Sequence, residues 1–128
     1  MDEIDQLILE AEQQLENPKG THVILDLISC DREKLDNEEY IVELIQTAAL
    51  ISGATILQTS HHKFEPQGIT AFCLLAESHI SIHTWPELGK AALDIYTCGK
   101  NTDPILAGNY IKDELGGFEL STYTLIRQ

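Results

Sequence analysis

The densest set of reactive side chains in this sequence falls within 22 residues: Glu77-Ser78-His79, then Ser81, His83, Glu87 and Cys98. Such a set gathers hydroxyl, imidazole, carboxylate and thiol groups, the side-chain types that serve nucleophilic and acid–base chemistry. Spacing weighs against two rivals. A Ser-His-Asp hydrolase drawn from Ser78 or Ser81, His83 and Asp94 lacks the Gly-x-Ser-x-Gly elbow and its strand-turn-helix setting. A metal centre drawn from His61, His62, His79 and His83 meets another obstacle: the adjacent His61 and His62 point to opposite faces, and there is no helical His-x-x-x-His pair. No metal is expected.

The elements that must position these groups are short. His79 to Thr84 alternates as a strand, placing His79, Ser81 and His83 on one face and Ile80 and Ile82 on the other. Polar rows of this kind also line solvent-facing sheets, and the alternation alone leaves both readings open. Further strands are predicted over His22–Ser29, Ala54–Phe64, Ile69–Ala76, Ala91–Thr97 and Phe118–Ile126, with turns at Pro66-Gln67-Gly68 and Trp85 to Gly89. Asp31 to Asn37 reads as a polar loop. Helices are predicted over 38–52, with a stripe of Ile41, Leu44, Ile45, Ala48 and Leu50 or Ile51, and over 103–115, with Asp103 as cap and Pro104 at the first position. An appended helix within residues 1–18 carries Ile4, Leu7, Ile8, Ala11 and Leu15 and stops at Asn17-Pro18-Lys19-Gly20. The order βαββββαβ predicts an α+β two-layer sandwich: a mainly antiparallel sheet with helices on one face, in a single domain over 1–128.

The run HHKFEPQGITAFCLLAESHISIHTWPELGKAALDIYTCG, from His61 to Gly99, closely resembles the prokaryotic S-adenosylmethionine decarboxylases. These are pyruvoyl enzymes of polyamine synthesis, made as a short self-cleaving proenzyme. The likeness extends more loosely through THVILDLISCDREKLDN and SGATI, so it spans roughly residues 21–112. The resemblance implies cleavage between Glu77 and Ser78 into a β chain, 1–77, and an α chain, 78–128. The serine hydroxyl attacks the preceding carbonyl to form an ester; elimination and hydrolysis then leave a pyruvoyl group and release ammonia. His83 resembles the family histidine that serves the elimination. The pyruvoyl ketone forms a Schiff base with the substrate amine and withdraws the electrons released with carbon dioxide. Cys98 resembles the thiol that returns a proton to the resulting carbanion; Cys30 and Cys73 are read as structural.

The resemblance also implies that Glu87 binds the ribose hydroxyls and that Phe64 stacks on adenine, reaching it from the neighbouring subunit of a homodimer. One departure stands out. The family usually has a serine eight residues before the cleaved serine, hydrogen-bonding near the scissile carbonyl, and Thr70 occupies that place. The hydroxyl is kept, with a stiffer rotamer. The implied function is decarboxylation of S-adenosylmethionine to the aminopropyl donor of spermidine synthesis. Two alternatives are a relative redirected to ornithine or arginine, against which Phe64 and Glu87 argue, and a processing-dead binding homologue, against which Glu77, Ser78, His83 and Cys98 argue.

Composition sets the bounds. The 128 residues hold 21 acidic against 8 basic side chains, a net charge of −13. This disfavours nucleic-acid or anionic-membrane partners, which need a basic face. The acidity is uneven: residues 1–53 hold 13 acids and 3 bases, residues 54–100 only 4 and 3. It therefore bears on solubility and attraction of a cationic sulfonium more than on chemistry within the catalytic run. Three widely spaced cysteines without a Cys-x-x-Cys pair, no basic-then-apolar leader and no long apolar run predict a cytoplasmic protein with reduced thiols.

Overall fold

The structure, a computed structural model, describes residues 2–14 and 19–127. Its elements run α1 (Glu3–Gln14), β1 (Gly20–Ile28), α2 (Arg32–Leu35), α3 (Glu38–Ile51), β2 (Ile56–Lys63), β3 (Ile69–Leu75), β4 (Ser78–Trp85), β5 (Lys90–Cys98), α4 (Pro104–Leu115) and β6 (Phe118–Arg127), with a 3-10 turn at Pro86–Leu88. The strands form one antiparallel sheet in the order β2-β3-β4-β5-β1-β6. It is the expected α+β arrangement. Chain order alone gives the run from β2 to β5; β1 then inserts between β5 and β6, its Gly20 opposite Cys98 and its Thr21 opposite Thr97.

Local chemistry explains the helix ends. Asn37 Oδ1 accepts from the Tyr40 amide to start α3, and Asp103 Oδ1 accepts from the Leu106 amide to start α4, whose Pro104 follows directly. Gly116 ends α4 in the left-handed region at φ 66°. Ile41, Leu44, Ile45 and Ala48 of α3 and Ala107, Ile111 and Leu115 of α4 pack on β-strand residues including Val23, Leu25, Leu27, Ile80, Ile82, Leu93 and Ile95. Burying each of the large aliphatic chains contributes about 1.5–3 kcal/mol. The opposite sheet face holds half-buried His22, Asp26, Phe72, His79, Ser81, His83, Asp94 and Tyr96. Neither α3 nor α4 covers it.

Four expectations are corrected. Residues 31–37 are not all loop: Asp31 caps the single turn α2 through the Lys34 amide, and Leu35 is driven into the core. The end of the α3 stripe is Ala49, while Leu50 and Ile51 are exposed, because the stripe turns with the helix period. Gly20 does not end a helix but opens β1, and the predicted Leu15 and Asn17-Pro18 lie outside the described residues. In α1, Ala11 is buried, but Ile4 and Leu7 remain exposed, lining a recess with Leu50, Gly53, Ala54, Thr55 and Ile56. Among the described residues no helix is long and apolar enough to cross a membrane.

Candidate active site

Ala76 and Glu77 form the tight connection between β3 and β4, and Ser78 is the first residue of β4, paired with Leu75 and Thr97. Two-residue hairpin loops favour residues that accept positive φ, commonly Asn-Gly. Neither is present here, and the strain appears at Ser78, whose φ is 150°. A non-glycine residue held in such a region stores about 1–3 kcal/mol. The surroundings hold it. The Ala76 amide donates to the Thr55 carbonyl at 2.9 Å. The Glu77 carboxylate, 8% exposed, accepts from the Thr55 amide at 2.9 Å and from the Thr55 hydroxyl at 3.2 Å. The Glu77 carbonyl accepts from the Cys98 amide at 2.9 Å. An amide aimed at that oxygen is suited to stabilise negative charge developing there.

Cys98 thus brings its backbone amide to the Glu77-Ser78 junction from the end of β5. Its thiol lies beside Tyr96, whose pKa is raised first by the side-chain hydrogen bond with that thiol and then by burial. Gly20 leaves room for both: a Cβ there would come within 2.8 Å of the Tyr96 hydroxyl and 2.9 Å of the Cys98 sulfur. On the other side, Ser78 Oγ is 3.3 Å from His79 Nδ1. The His79 ring stacks on Phe72 at 5.7 Å between centroids, and burial lowers its pKa below the usual 6.5.

The remaining predicted residues gather elsewhere. Phe64, Thr70, His83 and Glu87 line one recess of about 290 Å³ with Gly68 and Trp85. Thr70 Oγ1 and His83 Nδ1 are hydrogen-bonded at 2.9 Å, as the β3–β4 register directs by setting the two residues opposite each other. Phe64 is exposed rather than in the core, its ring edge-on to His62 at 4.6 Å. Glu87 is exposed on the 3-10 turn. The recess is at the low end of the ~300–1,000 Å³ typical of small-molecule pockets.

The two groups are far apart. Ser78 and His83 stand five residues apart on β4, about 17 Å at the ~3.4 Å rise of an antiparallel strand. Within one chain, therefore, Thr70 faces His83 and not the Glu77 carbonyl, which the Cys98 amide holds instead. Sequence reasoning missed that amide, as well as Thr55, Gly20 and Tyr96, whereas Glu77, Ser78, His79 and Cys98 were visible as residue types. Cys73 is fully buried and Cys30 nearly so; burial raises both thiol pKa values, that of Cys30 to about 11. Both sit in the helix-backed core.

A single antiparallel sheet backed by helices on one face is also the fold of a solved relative. The crystal structure of the adenosylmethionine decarboxylase from Aquifex aeolicus VF5 superposes with a TM-score of 0.75 at 37% identity, covering 86% of this chain and 89% of that one. The sequence model of the family described as S-adenosylmethionine decarboxylase matches residues 21–128. The S-adenosylmethionine decarboxylase proenzyme of Synechococcus sp. (strain WH7803) is 50% identical over 109 residues, 85% of each chain. That of Caldicellulosiruptor saccharolyticus is 45% identical over 103 residues, 80% of this chain and 83% of the relative. This chain belongs to the S-adenosylmethionine decarboxylase family.

Proposed function

We propose that this chain is a self-cleaving precursor that breaks its Glu77-Ser78 bond, converts Ser78 to a pyruvoyl group and decarboxylates S-adenosylmethionine. The observation that carries this reading is the junction itself: a positive φ at Ser78, with the preceding carbonyl hydrogen-bonded to the Cys98 amide. The strain raises the ground state of one bond, and the amide stabilises the charge formed when that bond is attacked. The residues fit the group to be formed, since Ser78 supplies its carbon skeleton at the start of β4, next to Cys98 and Tyr96. The pyruvoyl ketone supplies an electron sink for the pair released as carbon dioxide leaves. The Cys98 thiol delivers a proton to the substrate carbon, Glu87 accepts hydrogen bonds from the ribose hydroxyls and Phe64 stacks on the adenine. The product would be the aminopropyl donor for spermidine, formed in the cytoplasm.

The site is completed by a second copy. A two-fold axis that lies between the two uncovered sheet faces and runs across β4, at the ~10 Å spacing of stacked sheets, would bring the His83 end of one sheet over the Ser78 end of the other. Each site then takes Ser78 and Cys98 from one protomer and Phe64, Thr70, His83 and Glu87 from its partner. Two tests separate the parts of this reading. Purified, cleaved protein should release carbon dioxide from S-adenosylmethionine and not from ornithine or arginine; the reverse preference would overturn the substrate assignment. Cys98→Ala and Glu87→Ala chains, each inactive alone, should recover about a quarter of wild-type activity when co-expressed, because half of randomly paired dimers carry one intact composite site. No recovery in demonstrably mixed dimers would place each site within one chain.

A further inference from the structure

We propose that His79 is the base that takes the Ser78 hydroxyl proton in the first step of self-cleavage. The proposal rests on the self-cleavage reading above and assigns a group to a step for which one chain offers little choice. Alternation along a strand normally sends adjacent side chains to opposite faces. The positive φ of Ser78 breaks that alternation and leaves Ser78 Oγ 3.3 Å from His79 Nδ1, whereas His83 is five residues further along β4 and bonded to Thr70. With its proton on Nε2, the neutral imidazole presents Nδ1 as an acceptor to the serine hydroxyl. Its surroundings favour that neutral form: Phe72 stacks on the ring and burial lowers the imidazole pKa, the dominant effect, against the opposing charge of Asp94.

The step balances without any other reactant. Ser78 Oγ gives its proton to His79 Nδ1 and forms a bond to the Glu77 carbonyl carbon, and the displaced π pair moves onto the oxygen held by the Cys98 amide. As that oxygen re-forms its double bond, the bond from the Glu77 carbon to the Ser78 nitrogen breaks. The nitrogen takes the proton back from His79, leaving an ester and a free amine. Strain at Ser78 therefore has two consequences: it destabilises the bond to be broken and it aligns the base with the nucleophile. His83, on the partner protomer, is left to serve the later elimination.

The test uses full-length chain made by cell-free translation, with cleavage followed by gel and intact mass. His79→Gln, which keeps an acceptor but cannot carry the proton, should cleave at least about 100-fold more slowly than wild type, the lower end of what a general base contributes. The uncut His79→Gln chain should resist hydroxylamine, because no ester has formed, whereas uncut His83→Ala should be split by hydroxylamine at the Glu77 ester. Imidazole added to His79→Ala should restore cleavage, which a folding defect would not allow. Cleavage of His79→Gln within threefold of wild type, or its ready splitting by hydroxylamine, would overturn the assignment. An uncleaved wild-type chain would instead overturn the self-cleavage reading on which it rests.

Discussion

Replacing Thr55 with valine tests whether the anchor on Glu77 sustains the strained junction. The substitution removes the hydroxyl bond to the Glu77 carboxylate, 3.2 Å long, while keeping the 2.9 Å bond from the Thr55 amide. Hydrogen bonds to charged groups contribute about 1.5–3 kcal/mol; the longer distance and the half-buried setting of Thr55 place this one near 1.5 kcal/mol. That is similar to the ~1–3 kcal/mol stored by a residue held at an unfavourable φ. Without the hydroxyl, the turn can relax toward an ordinary φ at Ser78, and the strained fraction falls by about tenfold for each 1.4 kcal/mol. Cleavage by Thr55→Val should therefore slow by about tenfold in a cell-free translation time course. In a Ser78→Ala background, where the chain stays whole, the same loss should lower the melting temperature by roughly 5 °C. Thr55→Ser, which keeps the hydroxyl, should restore both. Wild-type cleavage by Thr55→Val together with the expected loss of stability would refute the argument, showing that the anchor holds the fold without setting the junction's reactivity.

Thr84→Val should destabilise the protein by about 2–4 kcal/mol in urea unfolding, because the buried hydroxyl both donates to the Leu35 carbonyl at 2.8 Å and accepts from the Ile69 amide at 3.0 Å. Gly20→Ala should cost about 1–3 kcal/mol by overpacking Tyr96 and Cys98, and should reduce carbon dioxide release more than self-cleavage, since the thiol is displaced while the Cys98 amide stays in the sheet. His79 faces Asp94 and Tyr96 of β5, His22 of β1 and the neutral ring of Phe72, and burial lowers its pKa in the folded chain. The unfolded chain therefore binds the proton more readily. The stability this confers is present above the usual pKa of 6.5 and is lost as pH falls through the folded value. Melting curves of the Ser78→Ala chain should drop below pH 6.5 more steeply than those of the same chain carrying His79→Gln, and parallel curves would contradict this.

What could be read from the sequence was local. The α3 stripe as far as Ala48, the Asp103 cap and the alternation of β4 are each encoded within a few neighbouring residues, and the structure reproduces them. The residues of the candidate site were also visible as types in order. Their partition was not, because it depends on which end of a strand a residue occupies and on register between distant segments. Thr70 could be placed near Glu77 in sequence terms, yet the β3–β4 register sets it opposite His83. Likewise, the hydrogen bond from Cys98 to the Glu77 carbonyl joins residues 21 apart through backbone atoms, which residue types do not encode. The insertion of β1 between β5 and β6 pairs Gly20 with Cys98, and the need for a glycine there shows only once Tyr96 and Cys98 are seen against it.

Intact mass of the purified wild-type protein shows whether the Glu77-Ser78 bond breaks by itself. Two fragments are expected, residues 1–77 and 78–128, with the second starting in a pyruvoyl group and therefore closed to amino-terminal sequencing until treated with an amine donor and reductant. A single species at 14.3 kDa after prolonged incubation, or a break at any bond other than Glu77-Ser78, would contradict it.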